Sequence, residues 1–205
     1  MLLIAPPPLT RCIDFANTLY WRGRKDPTDD LKTLEDVLGW CERSSHVPKT
    51  LVDLFRTGYL SDKMKERQAF DAALNLREGL YAVLVDHAER REPDAEQLAV
   101  VSSLLRGAAP RVHLTRAKGC YWWALDPTHC RLNDLLSPIL WSATDLLVSD
   151  KLSSVKRCAN DECRYLFLDD SKSGNRRWCS MASCGNRAKA RRHYHRASQA
   201  DNGAR

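Results

Sequence analysis

The chain has 205 residues, of which 43% are hydrophobic and 28% charged, so its composition excludes wholesale disorder and a fibrous role. This length can bury one sizeable core and still carry a small appendage, so we expect two domains. The net charge is +6, and it comes from the C-terminal quarter, because residues 151–205 hold 13 Lys and Arg against 5 Asp and Glu. Residues 1–150 hold 19 against 21.

The sequence favours a soluble, cytoplasmic protein. It contains no apolar run near the roughly 18 residues that cross a bilayer. The opening segment 1–5 is too short for a signal peptide before three prolines. Four scattered cysteines lie in apolar contexts and are expected to be small buried thiols, as in a reducing compartment. They are Cys12, Cys41, Cys120 and Cys130.

Hydrophobic periodicity predicts a mainly α-helical N-terminal domain over residues 1–150. Thr33 and Asp36 have the spacing of a capping box at a helix start. Pro138 falls inside the last predicted helix, where it either kinks the helix or marks a restart. A small β-hairpin is predicted between residues 112 and 125. The predicted helices cover about 9–20, 34–41, a short segment after Pro48, 61–91, 94–105 and 131–148.

After Asp150 the sequence changes to cysteines, basic residues and short apolar stretches. Residues 165–168 and 177–178 flank a polar turn at 171–175, which predicts a second small hairpin. Residues 181–197 favour a helix. The predicted module over 151–198 is therefore knuckle, hairpin and helix, followed by a flexible tail over 199–205.

Two pairs of cysteines bracket the predicted hairpin, each pair enclosing four residues: Cys158 with Cys163, and Cys179 with Cys184. Four thiolates brought together in this way can form a tetrahedral zinc site. A segment this short needs such a staple, because it cannot bury enough apolar surface alone. Disulfides, inert thiols and an iron–sulfur cluster are the alternatives. Four cysteines close the coordination sphere, so the pattern predicts one structural zinc ion, whose removal should unfold only this module.

The finger segment closely resembles the CGNR zinc-finger family. Residues 158–163 read Cys-Ala-Asn-Asp-Glu-Cys, and residues 177–187 read Arg-Trp-Cys-Ser-Met-Ala-Ser-Cys-Gly-Asn-Arg. The likeness continues through residues 189–194. This resemblance implies a bacterial DNA-binding regulator, which spacing and charge alone do not reach.

The upstream region is similar to the ABATE domain, a helical domain that precedes this finger in stress-responsive transcription regulators. The segments that carry the resemblance are Asn-Thr-Leu at 17–19, Arg-Gly at 22–23, Trp40 and Leu-Arg-Glu at 76–78. It implies that the N-terminal domain senses a ligand or a partner.

The leading interpretation is a transcription regulator whose basic C-terminal helix contacts duplex DNA. The outer arginines are expected to neutralise phosphates, whereas Asn186 and Arg187 either read bases or brace the finger. The alternative is a zinc module for RNA or protein docking. An enzyme is disfavoured, since no nucleophile–base pair, phosphate loop or paired carboxylates have persuasive spacing. The predicted DNA contacts are Asn186, Arg187, Lys189, Arg191, Arg192 and Arg196.

Two polar residues interrupt apolar stripes in the N-terminal domain, and both are expected to be at least partly buried. They are Asn17 and Arg77. The simpler interpretation is a structural network, in which Arg77 pairs with Asp14 or Glu78. The alternative is a pocket in which Asn17, Arg77 and Arg22 bind a small anionic or polar effector. The sequence pattern identifies neither the operator nor the effector, and it is compatible with a monomer or a homodimer.

Overall fold

The computed structural model describes residues 2–44, 47–111, 113–117, 119–125 and 131–191. As predicted, these residues are mainly helical, with three small antiparallel sheets. The α-helices of the N-terminal domain are α1 (Arg11–Ala16), α2 (Leu34–Arg43), α3 (Lys49–Tyr59), α4 (Lys63–Ala88), α5 (Ala95–Arg106) and α6 (Leu132–Leu147). The strands are β1 (Leu2–Ile4), β2 (Leu19–Tyr20), β3 (Thr28–Asp29), β4 (Leu114–Ala117), β5 (Cys120–Leu125), β6 (Val155–Arg157) and β7 (Leu166–Leu168). None of the helices described here is long and apolar enough to cross a membrane.

Capping side chains set the starts of three helices. The predicted capping box is confirmed at α2, where the Asp36 amide donates to the Thr33 hydroxyl and the Thr33 amide donates to the Asp36 carboxylate. Asp62 and Asp94 cap α4 and α5 by accepting from backbone amides. Each cap satisfies an amide that has no partner within its helix. Pro138 lies inside α6, which continues through it as a single helix.

The 26-residue helix α4 runs through the middle of the N-terminal domain and packs against α1, α2, α3, α5 and α6. One side of α4 is buried against these helices, as the long amphipathic pattern predicts. The other helices add large apolar side chains to the same core. Its fully buried large residues include Phe15, Leu34, Leu38, Phe55, Leu76, Leu80, Leu135 and Leu136.

The predicted hairpin is confirmed as β4 and β5, which pair antiparallel. An additional N-terminal strand, β1, was not predicted and joins the other edge of β5. Cys12 and Cys41 are buried thiols as expected, but the same expectation was wrong for Cys120. Cys120 begins β5 beside the hairpin turn, where its side chain meets solvent. Cys130 lies outside the described residues.

The first predicted helix was too long. The sequence pattern predicts a helix over residues 9–20, whereas α1 ends at Ala16 and Leu19–Tyr20 pairs with Thr28–Asp29 as β2 and β3. Asn17 is the residue that ends the helix, and its backbone amide donates to the Ile13 carbonyl. Its side-chain amide hydrogen-bonds to the backbone of Leu166, and the chain leaves the helix at this residue.

The predicted pairing in the second hairpin was also wrong. Leu166–Leu168 pairs with Val155–Arg157 rather than with residues 177–178. Both strands of this sheet contribute to the main hydrophobic core, because Val155 and Leu166 pack with the N-terminal helices. The sheet therefore joins the C-terminal module to the N-terminal core instead of standing apart from it.

Candidate metal centre and nucleic-acid interface

The sulfur atoms of Cys158, Cys163, Cys179 and Cys184 all lie within 4.8 Å of one another. The Cys163 and Cys179 sulfurs are 3.7 Å apart, and those of Cys179 and Cys184 are 3.8 Å apart. A tetrahedron with zinc–sulfur bonds of about 2.3 Å has edges of about 3.8 Å, so these separations fit a zinc ion. The site can hold one zinc ion through four cysteines, as the cysteine spacing predicts.

Backbone hydrogen bonds hold the first cysteine pair in place, and a helical turn holds the last cysteine. The Cys158 amide donates to the Tyr165 carbonyl at 2.8 Å and closes the knuckle after β6. The Cys163 amide donates to the Asn160 carbonyl at 2.8 Å inside the same turn. Cys184 lies in a wide π-helical turn, Met181–Gly185, which begins the basic helix. The predicted helix start at residue 181 is thus confirmed, and it carries a zinc ligand.

Hydrogen bonds among three of the thiols shift their pKa values in opposite directions. The pKa of Cys158 is lowered because the thiols of Cys163 and Cys179 donate hydrogen bonds to its sulfur. The pKa values of Cys163 and Cys179 are raised, chiefly through the same contacts with Cys158. Four thiols this close cannot all lose their protons without a compensating positive charge, and a divalent metal ion would supply that charge. The buried Asn160 side chain also donates to the Cys184 sulfur at 3.5 Å, a contact that orients the ligand.

Comparison with known protein families supports this description. A family model described as "Putative stress-induced transcription regulator", ABATE, matches residues 9–150. A second, the CGNR zinc finger, matches residues 154–197. The chain belongs to the ABATE family. Both predicted resemblances are therefore confirmed, in the predicted order, and no match was found among curated proteins.

The basic helix leaves the CGNR zinc site with its polar side chains exposed. Asn186, Arg187, Lys189 and Arg191 are all exposed on residues 186–191. The Asn186 amide donates to the Ala182 carbonyl at 3.2 Å, a contact that braces the π-helical turn. Arg192 and Arg196, the other two predicted DNA contacts, lie outside the described residues.

A groove of about 280 Å³ runs beside this helix on the CGNR finger. Three arginines line it, namely Arg177, Arg187 and Arg191, together with Trp178. Its acidic member is Asp161. Three guanidinium groups against one carboxylate leave the groove positive, which suits an anionic backbone.

The ABATE domain contacts the basic helix, a contact that the sequence did not predict. The guanidinium of Arg187 lies over the ring of Trp21, with its central carbon 4.5 Å from the ring centroid. Tyr20 stacks on Tyr165 of the finger, with ring centroids 6.3 Å apart. These contacts could not be predicted from the sequence, because each joins residues more than 140 positions apart and the aromatic residue alone does not indicate its partner.

Asn17 joins the ABATE domain to the finger through two buried hydrogen bonds. Its side-chain nitrogen donates to the Leu166 carbonyl at 2.8 Å, and its side-chain oxygen accepts from the Leu166 amide at 3.0 Å. The side chain thus bonds both backbone groups of Leu166, as a neighbouring strand would. The hydroxyl of Tyr81 adds a third bond by donating to the Arg164 carbonyl at 2.8 Å.

The expected burial of Asn17 and Arg77 is confirmed, with exposed fractions of 2% and 4%. Arg77 donates two hydrogen bonds to Asp29, at 2.6 and 3.0 Å, and a third to Glu78 at 2.8 Å. Arg22 donates to Glu78 at 2.6 and 3.2 Å. Glu78 is therefore a partner of Arg77 as expected, and Asp29 takes the place that was expected for Asp14. These contacts favour the structural network, and the effector pocket stays a prediction.

Proposed function

We propose that this protein is a cytoplasmic, non-enzymatic transcription regulator whose zinc finger and basic helix bind duplex DNA. The observation that supports this proposal is the exposed basic face on residues 186–191. This helix follows directly on the turn that contains the zinc ligand Cys184. A helix anchored to a metal site presents its side chains with little conformational freedom left to lose on binding. The family description of the ABATE domain supports a role in transcription.

The charge of the face is only partly cancelled within the molecule. Arg191 donates to Glu162 at 2.6 Å, whereas Arg187 stacks on an aromatic ring. A stacked guanidinium keeps the hydrogen-bond donors at its edge directed outward, so stacking is compatible with binding phosphate or guanine. Arg187 thus suits both predicted roles, and the contact of Asn186 with Ala182 favours bracing for that residue.

The second candidate is docking of single-stranded RNA or of a protein. Stacking on unpaired bases needs free aromatic faces. Trp178 and Tyr165 are only partly exposed and pack against the small core of the finger, and Tyr165 also stacks on Tyr20. Tyr194 lies outside the described residues. Duplex DNA therefore fits the described surface better than single-stranded RNA.

We predict that the double variant Lys189→Ala/Arg191→Ala weakens binding to all duplex sequences alike. Each lost phosphate contact should flatten the slope of log affinity against log salt by about 0.9, so two contacts flatten it by about two. Fluorescence anisotropy with duplexes of differing sequence, over a series of salt concentrations, measures both quantities.

The matched control is Lys65→Ala/Arg67→Ala. It removes the same charge from exposed positions near the start of α4, away from the basic helix. The control should bind like the wild type. If the finger variant keeps its zinc and binds duplex DNA with unchanged affinity and salt slope, residues 186–191 are not the nucleic-acid surface.

Sensing is proposed for the ABATE domain, with a small anionic or polar molecule or a protein partner as the signal. The bonds from Asn17 to Leu166 and from Tyr81 to Arg164 would transmit such a signal, because they join the ABATE domain directly to the finger. A homodimer is compatible with this proposal. Arg192 and Arg196 belong to the proposed DNA surface on sequence grounds.

A further inference from the structure

A loop of the ABATE domain, residues 21–25, lies directly against the zinc knuckle. The Gly23 amide donates to the Glu162 carbonyl at 3.1 Å. A Cβ atom at position 23 would lie 1.7 Å from the Asp161 carbonyl oxygen, so only glycine permits this approach. The 21–25 loop is therefore held at a fixed place beside the finger.

Trp21 connects this loop to the basic helix. Two guanidinium groups contact its ring, with the central carbon of Arg24 4.0 Å and that of Arg187 4.5 Å from the ring centroid. Both arginines are exposed, and Trp21 adopts a left-handed backbone conformation with φ of 56°. This conformation is unfavourable for a tryptophan and persists only where the surroundings stabilise it. The half-buried Trp21 thus brings two exposed arginines together, one from the ABATE domain and one from the finger.

The loop adds positive charge to that surface. Arg24 and Lys25 are exposed, whereas Arg22 is half-buried and bound to Glu78. Glu162 accepts from Arg24 at 3.2 Å and from Arg191 at 2.6 Å, so one carboxylate faces two guanidinium groups. The five exposed basic side chains on residues 24–25 and 187–191 outnumber the three carboxylates of Asp26, Asp161 and Glu162, so this surface carries surplus positive charge.

We infer that the 21–25 loop is part of the DNA-binding surface, with Arg24 and Lys25 binding the phosphate backbone beside the phosphates bound by the basic helix. This inference rests on the proposed function. Phosphate binding is the role that the observed charge supports, because phosphate contacts need basic side chains at the surface and fix the position of a protein on the duplex. The ABATE domain then contacts DNA itself, and a signal it receives can change affinity directly at the interface.

The test compares Arg24→Ala/Lys25→Ala with the wild type and with Lys65→Ala/Arg67→Ala, all zinc-loaded, in duplex DNA titrations over a range of salt concentrations. The control positions lie on α4 at least 14 residues before Tyr81, about 21 Å along the helix from that contact with the finger. The loop variant should flatten the salt slope by about two and weaken binding to all duplex sequences alike. Lys25→Glu is a second variant, which reverses a charge while leaving the Arg24–Glu162 pair in place, and it should also weaken binding.

Three outcomes are distinguishable. Weaker binding and a flatter slope for both loop variants, with the control unchanged, supports the inference. If the wild type binds duplex DNA and the loop variants match the control, the inference is overturned while the proposed function stands. If the zinc-loaded wild type does not bind duplex DNA, the proposed function fails and the inference fails with it.

Discussion

Cys158→Ser is expected to abolish stoichiometric zinc binding, to unfold the finger and to eliminate duplex DNA binding. Zinc contributes about 10 kcal/mol or more of folding free energy to structural sites of this kind. The cysteine spacing alone predicts that only the C-terminal module unfolds. The structure changes that expectation, because Val155 and Leu166 lie in the main core and Leu166 also bonds to Asn17. Loss of zinc should therefore lower the stability of the N-terminal domain as well.

The protein is purified without added metal. Elemental analysis then measures its zinc content, hydrogen exchange measures unfolding in both domains, and titration measures DNA binding. Cys120→Ser is the matched control, since Cys120 is exposed on β5 and takes no part in the zinc site. The control should bind one zinc ion and exchange like the wild type. Full zinc content and full DNA binding in Cys158→Ser would contradict the four-cysteine site.

Arg77→Met is expected to destabilise the N-terminal domain by about 3 kcal/mol, because breaking a buried ion pair leaves its partners uncompensated. Arg77 is 4% exposed and bonds to both Asp29 and Glu78. Asp29 lies in β3, so the loss should also loosen the small β2–β3 sheet that precedes and follows the 21–25 loop. Methionine keeps an unbranched apolar stem but removes the guanidinium, so the variant loses both the charge and its three hydrogen bonds.

Urea unfolding measures this effect, with Arg67→Met on the same helix as the control. The Arg67 side chain is 85% exposed, so its replacement should change stability little. The same two variants test the effector pocket. A variant at Arg77 that keeps wild-type stability but loses the thermal shift caused by an anionic ligand would favour the pocket over the structural network.

The features that could be predicted from the sequence are those encoded by neighbouring residues. The capping box needs Thr33 and Asp36 three positions apart, and the zinc site needs two cysteine pairs of matching spacing. The amphipathic pattern of α4 likewise repeats within the helix. Each of these signals depends on short-range geometry, which the sequence carries directly.

The features that could not be predicted depend on residues far apart in the chain. β7 pairs with β6 because its apolar side chains reach the N-terminal core, and the polar turn at 171–175 is no guide to that packing. Asn17 interrupts a helical pattern, and its side chain hydrogen-bonds to Leu166, which lies 149 positions later. Gly23 and Trp21 likewise carry no local signal of their contacts with the finger. The position of the finger on the ABATE domain therefore had to come from the structure.

The central claim is that the zinc-loaded finger and its basic helix bind duplex DNA. The most direct test titrates the zinc-loaded wild type with duplex DNA and with single-stranded RNA of the same sequence, at a series of salt concentrations. With about four to six phosphate contacts, duplex affinity should fall with salt along a log–log slope of about −4 to −5, and chelation of the zinc should abolish binding. Preference for single-stranded RNA, or no salt-dependent binding to the duplex, would contradict the claim.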